Sequence, residues 1–169
     1  MSWRARLHQL RSRIKLRACS SVGAAPSVEG RVWIHGKGRI TIGHRVRIDA
    51  GLAPVELNAA EGAEIVIGDD VQVNSGVSIE ACGRVDIGER CRLERFCKII
   101  DTHFHPTALG ARRERRPDPV PVVVEPDSEI GCRAILLPGA FVRRGATVRP
   151  ATVVRTAPAA ALRRPRPEA

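Results

Sequence analysis

The chain has 169 residues, enough for one domain with a sizeable interior and too few for two of ordinary size. Hydrophobic residues make up 43% of it but aromatic residues only 3%, so aliphatic side chains must fill the core. The net charge of +10 belongs to the ends: residues 1–20 hold six Arg/Lys and no acid, and residues 143–169 hold seven Arg and one Glu. The remaining 15 basic and 17 acidic residues give the rest a net charge of −2, which argues against a nucleic-acid-binding face.

Cysteine use and hydropathy indicate a cytoplasmic protein. The cysteines are odd in number, with no CxxC pair and no secretory leader before them, which is typical of reduced thiols. No apolar run approaches the roughly 20 residues needed to cross a bilayer. We therefore expect a soluble cytoplasmic chain, or one that lies peripherally on the inner face of the membrane. The cysteines are Cys19, Cys82, Cys91, Cys97 and Cys132.

The first predicted element is a short, basic amphipathic helix within residues 1–20. Its apolar residues recur at steps of three or four: Trp3, Leu7, Leu10 and Ile14. Arginines occupy many of the other positions. Two uses remain open. The helix caps the open end of the following fold and buries its apolar stripe, which we favour, or residues 3–17 contact an anionic membrane.

After the helix the sequence repeats a short phrase. RITIGHRVRIDAG begins at Arg39, EIVIGDDVQVNSG at Glu64 and RVDIGERCRLERF at Arg84. Aliphatic residues recur at every sixth position in several blocks: Val22, Val28, Ile34 and Ile40; Ile42 and Ile48; Ile67, Val73 and Ile79; Ile87, Leu93 and Ile99; Val124, Ile130, Leu136, Val142, Val148 and Val154. Because six is a multiple of two, these side chains point to the same side of extended chain. Stacked coils of three such strands form a parallel β-helix, in which no single coil is stable alone.

An ordinary β-sandwich is the alternative fold, but its strand spacings would drift with its loops. The regular step instead predicts an all-β domain, a β-helix over residues 21–156, followed by a disordered basic tail over residues 157–169. Four glycines each follow an Ile, at places where a Cβ would be awkward: Gly43, Gly68, Gly88 and Gly131. Cys91 and Cys97 are interpreted as small core residues of the repeat.

The repeat stops at IIDTHFHPTALGARRERRPDP, Ile99 to Pro119, and residues 106–121 are expected to form a loop extruded from a coil. Histidine is the side chain best matched to base catalysis near neutral pH. His103 and His105 stand at the break, so both are candidates. The other three histidines are expected to be solvent-facing structural residues: His8, His35 and His44.

The phrases, the IIDTHFHP stretch and the later EIGCRAILLPGAFV resemble the hexapeptide-repeat O-acetyltransferases. That family includes the maltose and galactoside acetyltransferases, and the resemblance is closest to its members that modify bacterial polysaccharides. It covers about residues 28–156. The resemblance implies a left-handed parallel β-helix and a homotrimer. It also implies transfer of acetyl from acetyl-CoA to a sugar hydroxyl, at sites between neighbouring subunits.

The resemblance also assigns a catalytic base. The family's catalytic His is followed by Pro, and similar members read DTDFHP where this chain reads DTHFHP, which implies that His105 is the base. His103 takes the usual place of an acid and could itself take part. Asp101 is interpreted as orienting the base or, equally, as a strand-end residue that caps backbone amides in a turn.

Three residues are assigned to the acceptor site by the same resemblance. In galactoside-type relatives an Asn six positions after the Ile-Gly of the preceding coil contacts the acceptor, and here that position is Asn74. Its alternative is an amide ladder or a turn residue. The acidic partner that some relatives use falls on Cys82, and Glu80 is a nearby substitute for it.

The donor site is placed by resemblance in the last coils, where thin corners admit the pantetheine arm of CoA. Four residues line it by position: Cys132, Pro150, Arg155 and Thr156. Arg113 and its neighbours in the extruded loop meet the phosphates of CoA or an anionic glycan, or else belong to a solvated loop. The chain departs from the family here, since Glu129 replaces a Trp, and Arg143 and Arg149 replace glycines.

The sequence therefore predicts a cytoplasmic, homotrimeric O-acetyltransferase that uses acetyl-CoA as acyl donor and a surface-polysaccharide sugar or its lipid-linked precursor as acceptor. A β-helix scaffold or binding subunit that has lost CoA binding is the chief alternative. A zinc site is a minor hypothesis, because the H-x-H pair lacks a third histidine after His105, and no metal is expected.

Overall fold

The computed structural model describes residues 3–102 and 118–155. Within these residues, helix α1 (Trp3–Lys15) precedes sixteen short strands. The strands are β1 (Ser21–Val22), β2 (Ser27–His35), β3 (Arg39–Ile42), β4 (Arg47–Ala59), β5 (Glu64–Ile67), β6 (Gln72–Val73), β7 (Ser78–Ala81), β8 (Arg84–Ile87), β9 (Arg92–Leu93), β10 (Lys98–Ile100), β11 (Val122–Val124), β12 (Glu129–Ile130), β13 (Ile135–Leu136), β14 (Phe141–Val142), β15 (Thr147–Val148) and β16 (Val153–Val154). All strand pairs in the described part of the chain are parallel.

The strands wind into six stacked coils with three flat faces, and the architecture matches a left-handed parallel β-helix. Face one consists of β1, β3, β5, β8, β11 and β14 in that order. Face two consists of the first halves of β2 and β4, then β6, β9, β12 and β15; face three consists of their second halves, then β7, β10, β13 and β16. We call the corner between faces one and two edge one, that between two and three edge two, and that between three and one edge three. The predicted fold class is confirmed.

Each face carries a column of inward-pointing aliphatic residues, one per coil. The columns are Val22, Ile42, Ile67, Ile87, Val124 and Val142; Val28, Ile48, Val73, Leu93, Ile130 and Val148; Ile34, Leu57, Ile79, Ile99, Leu136 and Val154. The partly buried members all belong to the first or last coil, and the others, including Val28 and Val142 of those coils, are buried: Val22, Ile34, Val148 and Val154 are the partly buried ones. The six-residue step therefore produces the core that the sequence predicted, and burial of these columns drives the stacking.

The glycines that follow an Ile are required by the close approach of successive coils. A Cβ at Gly88 would lie 2.5 Å from the backbone nitrogen of Pro126, and one at Gly68 would lie 2.7 Å from that of Glu89. Neither glycine has a positive φ. The prediction that a Cβ would be awkward is confirmed, and the reason is the backbone of the next coil rather than an unusual turn conformation.

Helix α1 packs across the first coil, but not through its apolar stripe. Leu16 joins the core just after the helix, and Ser12 is fully buried. The Ser12 hydroxyl accepts a hydrogen bond from the backbone N–H of Val28 at 2.9 Å, and Lys15 Nζ donates to the carbonyl of Gly30 at 2.8 Å. The expected burial of the stripe is wrong, because these polar groups satisfy the open edge of the first coil and turn the stripe outward.

Edge one is an exposed ladder of charged residues in the left-handed backbone region. Arg45 donates to both carboxylate oxygens of Asp70, at 2.7 and 2.5 Å, and Arg90 donates to both of Asp127, at 2.5 and 3.1 Å. These bonds hold the pKa of each aspartate below its usual value. Such solvent-exposed pairs contribute little to stability.

The described part of the chain contains no helix with the length and apolar character that a membrane span requires.

Candidate functional site

Asp101 is the most completely buried carboxylate of edge three, where the repeat is interrupted. It follows β10, and its side chain is inaccessible to solvent. One carboxylate oxygen accepts the backbone N–H of Cys82 at 2.8 Å, and the other accepts that of Gly83 at 2.7 Å. Both oxygens thus hold the turn of the preceding coil. This contact fits the capping interpretation, and a role in orienting a base stays a prediction.

The same residue joins the two ends of the interruption. The backbone carbonyl of Asp101 accepts the N–H of Val120 at 2.8 Å, which is the point where the chain re-enters the solenoid. Pro119 packs so closely on Gly83 that a Cβ there would lie 2.8 Å from the proline ring. The segment between Thr102 and Asp118 therefore begins and ends at one anchored corner.

Four predicted site residues lie outside the described part of the chain: His103, His105, Arg113 and Thr156. The first three belong to the segment that edge three anchors. Their catalytic and cofactor-binding roles stay predictions. Among the histidines that the structure does describe, His8 Nε2 lies 3.0 Å from the hydroxyl of Ser27, and His44 Nδ1 accepts the N–H of Ala24 at 2.9 Å.

Glu80 and Cys82 lie beside Asp101 at the end of face three. The Glu80 carboxylate is 2.5 Å from Nζ of Lys98 and accepts the Ser78 hydroxyl at 3.2 Å. Its side chain is mostly buried, and the negative charge of this carboxylate is balanced by the ion pair with Lys98. An acceptor hydroxyl that approached Glu80 would compete with a lysine already in place.

Asn74 lies at edge two, across face three from Asp101. Its side-chain amide donates to a carboxylate oxygen of Glu94 in the next coil, at 3.3 Å. The strand that joins the two edges, with one residue on either side, has six residues and so spans roughly 20 Å. Asn74 and Asp101 of one chain are therefore too far apart to contact the same small group.

The predicted donor residues divide between the two edges. Cys132 and Pro150 follow one another on edge two, where the Cys132 carbonyl accepts the N–H of Ala151 at 2.8 Å. Arg155 comes directly after β16, towards edge three. Pro150 and Arg155 are exposed, and Cys132 is partly buried. Asn74, Cys132 and Pro150 thus share one edge of the solenoid.

Three residues near these positions were missed by the sequence reasoning: Glu94, Lys98 and Phe96. The Phe96 ring covers Gly76, where a Cβ would meet it at 2.3 Å, and Phe96 itself has a positive φ of 59°. A signal was present for the other two, because the phrases are 20 residues apart between Ile67 and Ile87. That spacing predicts that Asn74 stacks on Glu94.

The cysteines and acids of the described residues offer no cluster for a metal ion. No group of three or more His, Cys, Asp or Glu side chains converges there. None of the five cysteines forms a disulfide, and burial raises the pKa of Cys97 to about 12. Cys91 and Cys97 are buried in the core, as predicted.

No protein-family model and no curated protein matches this chain. Solved structures do match: a mutant of AntD, an N-acyltransferase from Bacillus cereus, in complex with dTDP and coenzyme A has a TM-score of 0.67 at 16% identity, over 85% of this chain and 77% of that one. A second AntD mutant with the same ligands has a TM-score of 0.66 at 16% identity, with the same coverage. A third, in complex with dTDP-4-amino-4,6-dideoxyglucose and coenzyme A, has a TM-score of 0.66 at 15% identity, over 86% of this chain and 78% of that one. At such identity the likeness shows the fold.

Proposed function

We propose that this chain is an acyltransferase that moves acetyl from acetyl-CoA to a sugar hydroxyl in the biosynthesis of a bacterial surface polysaccharide. The observation that carries the proposal is the anchored interruption of a left-handed β-helix, with the sequence IIDTHFHP at its start. The AntD structures, which have the same fold and were crystallised with coenzyme A, support acyl-CoA as donor.

His105 is the proposed general base. A sugar hydroxyl attacks a thioester poorly until its proton is leaving, and a positioned imidazole contributes roughly 10²–10⁴ in rate. In the proposed step the hydroxyl oxygen bonds to the thioester carbonyl carbon while His105 takes the proton. The tetrahedral intermediate then expels the CoA thiolate, which receives that proton from the imidazolium. No acyl-enzyme is formed, because both reactants are bound together.

Asp101 is proposed as the positioning residue for this base. Its carboxylate holds the turn at Cys82 and Gly83, and its carbonyl holds the returning chain at Val120. His103 and His105 follow it by two and four residues. A fixed origin for a short segment limits the positions that the imidazole can reach, which is what proximity catalysis requires.

A homotrimer with active sites between protomers is part of the proposal. Within one chain, Asn74 is roughly 20 Å from Asp101, the width of a face. If edge two of one protomer lies against edge three of the next, Asn74, Cys132 and Pro150 of one chain meet the segment with His105 of its neighbour. The separation of the two residue sets supports this arrangement.

A second candidate acceptor is the amino group of a sugar nucleotide. The third AntD structure contains dTDP-4-amino-4,6-dideoxyglucose, and AntD is an N-acyltransferase. The same base would serve, since a sugar ammonium group must lose a proton before its nitrogen attacks. The two candidates differ only in the acceptor atom, so an acceptor panel separates them.

The test combines CoA binding by calorimetry with thiol release in the presence of hydroxyl and amino sugar acceptors. We expect the wild-type chain to bind CoA and His105→Ala to bind it equally well while turnover falls roughly 10²–10⁴-fold. His35→Ala is the matched control, since His35 is exposed on face three, and it should leave turnover unchanged.

Three results would each overturn a part of the proposal. Absence of CoA binding at millimolar concentration would favour the scaffold function, in which the altered corner at Pro150 no longer admits pantetheine. Full turnover by His105→Ala would exclude His105 as base and move the assignment to His103. A monomer with full activity would exclude the shared site.

A further inference from the structure

Helix α1 exposes an apolar stripe on the side opposite to its contacts with the solenoid. Leu10 is 56% exposed, Ile14 is 53% exposed and Leu7 is 38% exposed. Trp3, one turn earlier, is 69% exposed. At 100° per residue these four side chains lie within roughly 60° of one another around the helix. They form one continuous surface, which we call the α1 stripe.

The orientation of the helix is fixed by its other face. His8, Ser12 and Lys15 all make hydrogen bonds to β2, and Leu16 enters the core. These residues centre roughly 150° away from the stripe around the helix axis. The helix cannot rotate to bury the stripe without breaking those contacts.

The stripe is flanked by arginines on both sides. Arg6 and Arg13 lie on one flank and Arg11 on the other, all exposed at the helix surface. Residues 1–20 contain no Asp or Glu to neutralise them. An apolar stripe between cationic margins is complementary to a surface with apolar chains below anionic headgroups.

We propose that the α1 stripe docks this protein on an anionic lipid surface, with the helix lying in the headgroup region. A second copy of the chain fits less well. Pairing two stripes would bring the arginines of one helix beside those of the other with no acid to compensate, and like charges at such a contact oppose it. The proposal is independent of acyl transfer, and either can fail alone.

The first experiment measures cosedimentation of the full chain with vesicles. We expect binding to phosphatidylcholine vesicles containing about 30% phosphatidylglycerol to be at least tenfold tighter than to phosphatidylcholine alone, because each arginine near an anionic surface adds attraction. Raising the salt from about 0.1 M to about 0.5 M should weaken it by at least tenfold, since the charges are exposed. Equal binding to neutral vesicles, or none to either, would overturn the proposal.

The second experiment compares two variants with the same chemical change. Leu10→Glu should lose at least tenfold in vesicle binding, because the carboxylate enters the stripe and meets anionic headgroups. Val153→Glu is the control: Val153 is 48% exposed in the last coil, about 24 Å along the solenoid, and should bind like the wild type. Equal loss in both variants would contradict the proposal. So would a change in oligomeric mass for Leu10→Glu without lipid, which would assign the stripe to a second copy.

The basic residues near the C-terminus could also attract anionic lipid, and the fluorescence of Trp3 distinguishes binding through α1 from binding through those residues. Trp33→Phe leaves Trp3 as the sole tryptophan of the chain. On binding anionic vesicles, we expect its emission to shift to the blue and to be quenched by brominated acyl chains. Cosedimentation with unchanged Trp3 emission would place the contact elsewhere and overturn the assignment to α1.

Discussion

Among single residues, Asp101 makes the contacts that hold the candidate site together, because it bonds to both the preceding coil and the returning chain. It is buried and charged, and it is the shared partner of the turn at Cys82 and Gly83 and of the returning chain at Val120. A buried carboxylate without such partners would be strongly destabilising. The N–H groups of Cys82 and Gly83 therefore account for the tolerance of this carboxylate in the interior.

Replacing Asp101 by Asn should destabilise the fold by about 2–4 kcal/mol, because hydrogen bonds to a charged acceptor are lost and one N–H then faces an amide donor. Denaturant unfolding measures this loss. Asp118→Asn is the control, since it makes the same change at an exposed position of the same corner. Amide exchange at Gly83 should accelerate only in Asp101→Asn. Equal stability of the two variants would show that Asp101 does not hold the corner.

Some contacts of the candidate site could be predicted from the sequence, and others could not. The turn-capping interpretation of Asp101 was foreseen, because a strand-end aspartate before a break has few alternatives, whereas its role in orienting a base stays a prediction. The neutralisation of Glu80 by Lys98 was not foreseen, since it depends on which residues stack across coils. Once the 20-residue register of these coils is known, that pairing follows from Ser78 lying beside Lys98.

At the scale of the element, α1 was predicted as a helix from its apolar spacing, but its docked face was not predicted. The hydrophobic pattern favoured burial of the stripe, whereas the open edge of the first coil needs polar partners for its backbone groups. Ser12 and Lys15 supply them, and His8 adds a hydrogen bond with the side-chain hydroxyl of Ser27. A buried serine within a basic helix is a weak signal until the strand that it contacts is known.

Ser12→Ala should loosen this docking and lower the free energy of unfolding by about 1–3 kcal/mol, because the N–H of Val28 would remain buried without its acceptor. Hydrogen exchange at Val28 and denaturant unfolding report the effect. Ser21→Ala, at an exposed position of β1, should change neither. If Val28 exchanged at the wild-type rate in Ser12→Ala, the helix would be held by other contacts.

For the whole molecule, the columns of the core were predicted directly from the sequence, whereas the positions of the inserted residues within the irregular coils were not. The 25-residue spacing from Ile42 to Ile67 gave the size of the insertion in the second coil. The structure divides it, with Leu57 of β4 lying nine residues after Ile48 and ten before Ile67. Strand β4 continues through edge two without interruption, and no local sequence pattern predicts that a strand continues through a corner.

Global stability should decline at alkaline pH because of buried thiols. Burial raises the pKa of Cys97 to about 12 and of Cys19 to about 11, and it also raises that of Cys91. The folded chain keeps these protons above pH 9 while the unfolded chain loses them. Stability is therefore fully present below about pH 9 and falls as the pH rises towards 11–12, by up to about 1.4 kcal/mol per pH unit for Cys97 and by less for the more exposed Cys19.

Unfolding titrations at pH 7 and pH 10 check this slope. Cys97→Ala should reduce it by the share of one thiol, whereas Val73→Ala should lower stability at both pH values without changing the slope, since Val73 is an equally buried residue that does not titrate. An unchanged slope in Cys97→Ala would mean that this thiol is not the source.

The hydrogen bond that closes the interruption at Asp101 has a wider consequence. Val85 pairs with Val122 and Ile99 with Leu136 across the break, as if nothing had been inserted. The stacking register of the coils is therefore independent of the length and sequence of the chain between those two points. A change of sequence there can leave every described strand pair as it is.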